Sequence, residues 1–110
     1  MDDPPMNLLQ GTLDVLVLGT LVAGPMHGYE ISRAIRERTA GDLEIEYAPL
    51  YKALHRLARA KCVNAAWGES EHGRRARYYT LTARGRERLR KEETAWRRYA
   101  RAVFRVLEPV

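Results

Sequence analysis

Apolar residues recur at helical spacing from the beginning of the chain. Over residues 8–22, a stripe with spacings of three and four predicts a first helix, and it consists of Leu9, Leu13, Leu16, Val17, Thr20 and Leu21. Val15, Leu18 and Val22 add a second apolar face. A helix that is apolar on two sides must be covered on both, so we expect it at the centre of the core or also against another subunit. Its β-branched residues leave a strand as the weaker alternative.

A second helix is predicted from the segment 27–31 to about Arg38. Its apolar stripe comprises Ile31, Ala34 and Ile35, and His27 precedes the helix, where it can act as a cap. Residues 39–42 end the helix. Residues 43–46 alternate between apolar and acidic side chains, which predicts a short strand.

A third helix is expected to begin at Pro49, because proline suits the first helical position, and to run to about Lys61. Its buried stripe is predicted to be Leu50, Ala53, Leu54 and Leu57. The opposite face carries Lys52, His55, Arg56 and Arg59. A short helix with an apolar back and a basic front is typical of an element that lies in a DNA major groove.

Two strands are predicted at residues 62–67 and 75–81, with a connection at 68–74 that has a glycine near either end. The hairpin carries Arg74, Arg75 and Arg77 beside Trp67, and we interpret it as a basic wing. Trp67 itself is expected to pack between the wing and the core.

A long helix should follow, because Thr82 is a good N-cap residue and the pattern continues to about Leu107. Its seam, with spacings of 7, 3, 4 and 3, consists of Leu89, Trp96, Tyr99, Val103 and Val106. At about 1.5 Å per residue the helix would be roughly 38 Å long, which exceeds what so small a domain can cover. We therefore expect it to pair with a second copy of the chain.

These elements predict a mainly α fold with a two-stranded β wing, that is, a winged helix-turn-helix with a long C-terminal dimerisation helix. The expected organisation is a flexible N-terminus (1–7), a DNA-binding domain (8–81) and the dimerisation helix (82–110). A length of 110 residues suits one small domain.

The charge is divided unevenly along the chain. Residues 1–48 carry 3 Lys+Arg against 8 Asp+Glu, whereas residues 49–110 carry 16 against 6. The net charge therefore changes from −5 to +10, which favours a polyanion as the partner of the second part.

Other function classes lack support in the sequence. The single cysteine, Cys62, excludes an intrachain disulfide and favours a cytoplasmic setting, and we expect no membrane segment. His27, His55, His72 and Cys62 have no metal-ligand spacing. Neither a nucleophile–His–carboxylate set nor a phosphate-binding glycine loop is evident, so neither an enzyme nor a cofactor is expected.

Five short motifs in the same order resemble the PadR family of bacterial transcriptional regulators. They lie at residues 10–14 (QGTLD), 27–31 (HGYEI), 50–57 (LYKALHRL), 73–79 (GRRARYY) and 81–85 (LTARG). The chain departs from the family pattern at Pro49, where serine is usual, and at Lys52, where proline is usual.

The resemblance implies a homodimer that binds pseudo-palindromic operators and releases them when it meets an effector or under stress. It also implies the short C-terminal subgroup, in which the last helix pairs with the other subunit's first helix. In some members an aromatic residue of that last helix stacks on flat molecules, which makes Trp96 and Tyr99 possible ligand contacts.

The expected sites form two sets. The expected DNA contacts are Tyr51, Lys52, His55, Arg56, Arg59, Arg74, Arg75 and Arg77, with Tyr51 or Arg56 best placed to reach a base edge. The expected dimer contacts are Leu9, Leu13, Leu16, Leu89, Trp96, Tyr99, Val103 and Val106. Two alternatives stay open, namely an adaptor whose basic face binds an acidic protein, and an RNA-binding winged helix.

Overall fold

A computed structural model describes residues 11–109 of the chain. The elements run in the order α1 (Thr12–Leu21), β1 (Met26–His27), α2 (Gly28–Arg38), α3 (Tyr47–Arg59), β2 (Val63–Glu69), β3 (Arg75–Leu81) and α4 (Ala83–Leu107). The predicted mainly helical fold with a β wing and a long last helix is confirmed. The expected flexible tail (1–7) and the dimer contact assigned to Leu9 lie outside the described residues.

Helices α1, α2 and α3 enclose the core together with the sheet. The four residues predicted for the inner side of α3 are all buried, and Leu50, Leu54 and Leu57 have no exposed surface. They meet Val17 and Ile31 of the two other helices in one cluster. Since burying each such leucine contributes about 1.5–3 kcal/mol, this stripe fixes which side of α3 faces outward.

Within residues 11–109 the sheet has three strands, in the order β1-β3-β2, and both pairings are antiparallel. The prediction of a two-stranded wing was therefore incomplete. Strand β1 has only two residues, paired as Met26 with Tyr79 and His27 with Tyr78, which is too short to produce an alternating pattern in the sequence. Its effect is to hold the beginning of α2 beside the wing.

The strand predicted at residues 43–46 is absent, and these residues form an extended link without a strand partner. Ile45 is buried in the core, and its carbonyl accepts a hydrogen bond from Ser32 Oγ at 3.3 Å. Leu43 is half-buried and packs against the same core, so two inward apolar residues explain the alternating pattern. Helix α3 also begins two residues earlier than expected, so Pro49 is its third residue. Proline is tolerated there because an N–H group in the first turn has no intrahelical acceptor, so its absence costs no hydrogen bond.

The connection into α4 is rigid. Thr82 Oγ1 accepts a hydrogen bond from the Gly85 N–H at 3.0 Å, which confirms the predicted cap, and donates one to the Lys61 carbonyl at 2.7 Å. From Trp96 onward the large apolar residues of α4 are exposed in this chain. Within residues 11–109, none of the helices combines the length and the apolar character needed to cross a bilayer.

Gly85 is required by close packing, and we predict that Gly85→Ala destabilises the protein. An added Cβ would collide with the Cys62 carbonyl oxygen and approach Leu81 Cδ1 to 2.8 Å. The expected loss is about 1–3 kcal/mol of unfolding free energy, measured by urea denaturation. The matched control is Gly19→Ala in α1, where a Cβ meets nothing within 4 Å in the chain and should be neutral or stabilising. Equal stability of the two variants would contradict this packing.

A second prediction concerns alkaline pH. Burial raises the pKa of Tyr79 above its usual value, and this effect exceeds the opposing influence of Arg77. The unfolded chain therefore loses this proton first, so stability present below about pH 10 should be lost as the pH rises toward the higher folded pKa. Tyr79→Phe should reduce the loss of unfolding free energy between about pH 9 and 11, whereas Tyr29→Phe, at an exposed position of α2, should not. The same alkaline loss in both variants would contradict the assignment to Tyr79.

Candidate nucleic-acid interface

A groove of about 830 Å³ lies between the helices and the wing. The beginning of α2 forms one part of its lining and the outer side of α3 another. The hairpin β2–β3 closes the opposite side. Five of the eight predicted DNA contacts line this groove, namely Tyr51, His55, Arg74, Arg75 and Arg77. Elements distant in sequence thus place a tyrosine, a histidine and three arginines on one concave surface.

Tyr51 is held in the groove by its contact with Gly28. A Cβ at Gly28 would lie 3.0 Å from Tyr51 Oη and 3.2 Å from Cζ, so a larger residue would push the ring outward. On its other side the ring stacks on Tyr47, with centroids 6.0 Å apart and planes 23° apart. A ring packed in this way is pre-oriented and leaves its hydroxyl as a donor or acceptor.

The beginning of α2 is fixed next to the groove by a capping box. His27 Nδ1 accepts a hydrogen bond from the Glu30 N–H, and Glu30 Oε1 accepts one from the His27 N–H, both at 3.2 Å. The predicted capping role of His27 is confirmed. Its ring also meets Tyr78 of the wing edge-on, at a centroid distance of 5.4 Å.

The wing carries an exposed stack of arginines on Trp67. The guanidinium carbon of Arg75 lies 4.6 Å from the indole centroid, and that of Arg77 lies at 5.7 Å. The prediction that Trp67 packs into the core was wrong, because 58% of its surface is exposed. The indole instead restricts two long cationic side chains, so less side-chain entropy remains to be lost when they bind an anion.

The wing tip is a short ordered turn. The Ser70 N–H donates to the Arg74 carbonyl at 2.7 Å, and Gly73 adopts φ 72°, a left-handed value that favours glycine. Tyr78 Oη donates to the Glu69 carbonyl at 3.1 Å across the hairpin. Arg74 therefore projects from a defined position at the end of the wing.

The three other predicted DNA contacts do not line the groove. Lys52 and Arg59 are exposed and continue the outer face of α3. The Arg56 guanidinium is directed toward α1, where Nη2 lies 2.9 Å from Asp14 Oδ1. Of the two residues expected to reach a base edge, Tyr51 lines the groove and Arg56 does not.

Sequence reasoning missed four residues at this surface, namely Tyr29, Arg33, Tyr47 and Trp67. The Arg33 guanidinium carbon lies 5.7 Å from the Tyr29 ring centroid, one turn along α2. The i,i+4 spacing of these two residues opposite the apolar stripe was the available signal. The pKa of Tyr47 is raised, chiefly by partial desolvation and further by Tyr29 and Tyr51.

A second concave region lies between α1 and α4. It has a volume of about 480 Å³ and is lined by Gly11, Thr12, Val15, Glu92, Ala95, Trp96 and Tyr99. Trp96 Nε1 donates to Thr12 Oγ1 at 3.4 Å, which orients the indole along the cleft. Both predicted ligand contacts, Trp96 and Tyr99, therefore line the same cleft.

The predicted dimer contacts divide into two groups. Leu13, Leu16 and Leu89 are half-buried and pack against the core of their own chain. The four predicted contacts nearer the end of α4 are exposed, together with two neighbours that the prediction omitted. This stripe comprises Trp96, Tyr99, Val103, Phe104, Val106 and Leu107.

Comparison with known proteins agrees with this architecture. The family described as "Transcriptional regulator PadR-like family" matches residues 17–91. An uncharacterised protein of Lysinibacillus sphaericus is 30% identical over 90 residues, which are 82% of this chain and 83% of that protein.

Two solved structures are similar over nearly their full length. A transcriptional regulator from Clostridium thermocellum has a TM-score of 0.82 at 27% identity and covers 90% of this chain and 93% of its own. A PadR family transcription regulator from Clostridium difficile has a TM-score of 0.75 at 28% identity and covers 89% of this chain and 100% of its own. The chain therefore belongs to the PadR-like family of transcriptional regulators, whose members bind DNA.

Proposed function

We propose that this protein is a sequence-specific regulator, and specifically a repressor, that binds a pseudo-palindromic operator in double-stranded DNA as a homodimer. The observation that carries the proposal is the convergence of Tyr51, Arg74, Arg75 and Arg77 on one groove. An effector that binds between α1 and α4 releases the DNA.

In this account α3 enters the major groove and the wing follows the adjacent backbone. The apolar back of α3 is buried and its exposed front is basic, which is the distribution that such an insertion requires. The arginines stacked on Trp67 bind phosphates and set the position of the protein, while Tyr51 reaches a base edge.

The homodimer is supported by the exposed apolar stripe of α4. Six large apolar residues within the last three turns are solvated in a single chain, which favours burial against a second copy. Association along this stripe would also cover the remaining surface of Leu13 and Leu16 on α1. Twofold symmetry then presents two α3 helices to half-sites about one DNA turn apart.

The effector is a flat aromatic molecule in the cleft beside Trp96 and Tyr99. The volume of about 480 Å³ is in the range of small-molecule sites, and an indole wall favours stacking. Since Trp67 and Trp96 are the two tryptophans of the chain, Trp67→Phe leaves Trp96 as the sole indole reporter of binding.

The DNA assignment predicts that Arg74→Ala/Arg75→Ala weakens binding to a genomic fragment selected by the wild-type protein. Each lost phosphate contact should also reduce the log–log salt slope by about 0.9, because fewer counterions are released. Gel-shift titrations over a range of salt concentrations measure both quantities.

The matched control is Arg36→Ala/Arg38→Ala, which removes the same number of charges at the opposite end of α2 from the groove. It should retain nearly wild-type affinity and salt slope. Equal losses in the two variants would contradict the groove as the DNA-binding surface. Retention of an acidic polypeptide in place of DNA would favour the adaptor function.

The dimer assignment predicts that Val103→Asp converts the protein to monomers, because a carboxylate within an apolar seam has no partner. Light scattering after size-exclusion chromatography measures the molar mass. Thr94→Asp introduces the same charge on the other side of α4 and should leave the dimer intact. A Val103→Asp protein of dimer mass would refute the seam.

A further inference from the structure

One carboxylate connects three helices of the domain. Asp14 of α1 binds Arg56 of α3 through Oδ1 at 2.9 Å and Arg88 of α4 through Oδ2 at 3.1 Å. The Asp14 side chain is only 15% exposed, while that of Arg56 is 56% exposed. The carboxylate is therefore a fixed point, and the Arg56 guanidinium is the partner that is free to leave it.

Arg88 is held from three sides. Its Nε donates to Glu92 Oε1 at 2.8 Å, and its Nη1 lies 3.9 Å from Cys62 Sγ. The hydrogen bond to Glu92 is the largest influence on the pKa of Arg88 and raises it, against the effect of burial. Arg88 thus stays charged and in place beside Asp14.

The chain of contacts continues to the cleft between α1 and α4. Glu92 is one of the cleft residues, and its second oxygen, Oε2, is shielded from solvent and has no hydrogen-bond partner among residues 11–109. A buried carboxylate oxygen without a partner is costly and makes the Arg88–Glu92 pair sensitive to changes in the cleft.

We propose that Asp14 and Arg88 are positioning residues that set the availability of Arg56 to DNA phosphates. This inference rests on the proposed function. Asp14 neutralises Arg56 in the free protein, so a phosphate must compete with this carboxylate. Arg88 shares the same carboxylate and weakens its hold on Arg56, which eases the transfer of Arg56 to DNA.

Each substitution should change DNA affinity in a definite direction. Removing the carboxylate releases Arg56, so Asp14→Asn should tighten DNA binding. Without Arg88, Asp14 interacts with Arg56 alone and holds it more strongly. Arg88→Gln should therefore weaken DNA binding. In an Arg56→Gln background both effects should disappear, because the side chain that carries them is absent.

The experiment measures the affinity of the full chain for a mixed-sequence duplex of about 30 base pairs at low salt, where phosphate contacts dominate. Asp42→Asn and Arg90→Gln are the controls, since they make the same charge changes at exposed positions of residues 11–109. Relative to these controls, Asp14→Asn should bind about two- to five-fold tighter and Arg88→Gln about two- to five-fold weaker, the range expected for one partly exposed ion pair.

A second measurement needs no DNA. In urea unfolding, Arg56→Gln should be mild, because Arg88 still serves Asp14. Arg88→Gln should cost more, because it also removes the hydrogen bond to Glu92, although Arg56 still serves Asp14. The double variant should lose more stability than the sum of the two, because Asp14 is then left without a cation.

The possible results distinguish a failure of the proposed function from a failure of the inference alone. If the wild-type chain does not bind the duplex, the proposed function fails and the inference with it. If the chain binds, but Asp14→Asn and Arg88→Gln match their controls, the proposed function stands and the inference is overturned. If the losses of unfolding free energy in the two single variants simply add in the double variant, Asp14 is not shared by the two arginines, and the inference is likewise overturned.

Discussion

The burial of Leu50, Leu54 and Leu57 is the constraint on which the rest of the structure depends. These three side chains fix the rotation of α3 about its own axis, and that rotation decides which side chains can face a partner. With the leucines inside, Tyr51 and His55 line the groove and Arg56 is directed toward α1. A different rotation would bury charge and expose the core, at a cost of several kcal/mol.

The groove itself is assembled by short-range packing at its two ends. Gly28 lets the Tyr51 ring lie against the backbone of α2, and the two-residue strand β1 ties that same backbone to β3. On the opposite side Trp67 restricts Arg75 and Arg77. The cationic side chains are therefore ordered before any anion arrives, which reduces the entropy lost on binding.

The sequence predicted the helices and the two long strands well, because each has a strong periodic pattern and a recognisable end, such as the Thr82 cap. Strand β1 could not be predicted, since two residues have no period and its pairing depends on the distant β3. The strand expected at 43–46 was wrong for the converse reason: Leu43 and Ile45 both face the core and produce alternation without a partner strand.

Within the site, the arginines of the wing were predicted from composition and turn position. The exposure of Trp67 and the pairing of Arg56 with Asp14 were not, since both depend on distances between elements far apart in sequence. Asp14 and Arg56 lie 42 positions apart in the sequence, so no local pattern of residues predicts that they pair.

The two tryptophans mark the two regions of the molecule, Trp67 on the wing and Trp96 in the cleft between α1 and α4. The most direct test of the DNA-binding surface is an NMR titration of 15N-labelled protein with its selected DNA fragment, following the two indole N–H signals. If the groove binds DNA, we expect the Trp67 signal to shift strongly and the Trp96 signal to move much less. A shift confined to Trp96, or none at all under conditions where DNA is bound, would contradict it.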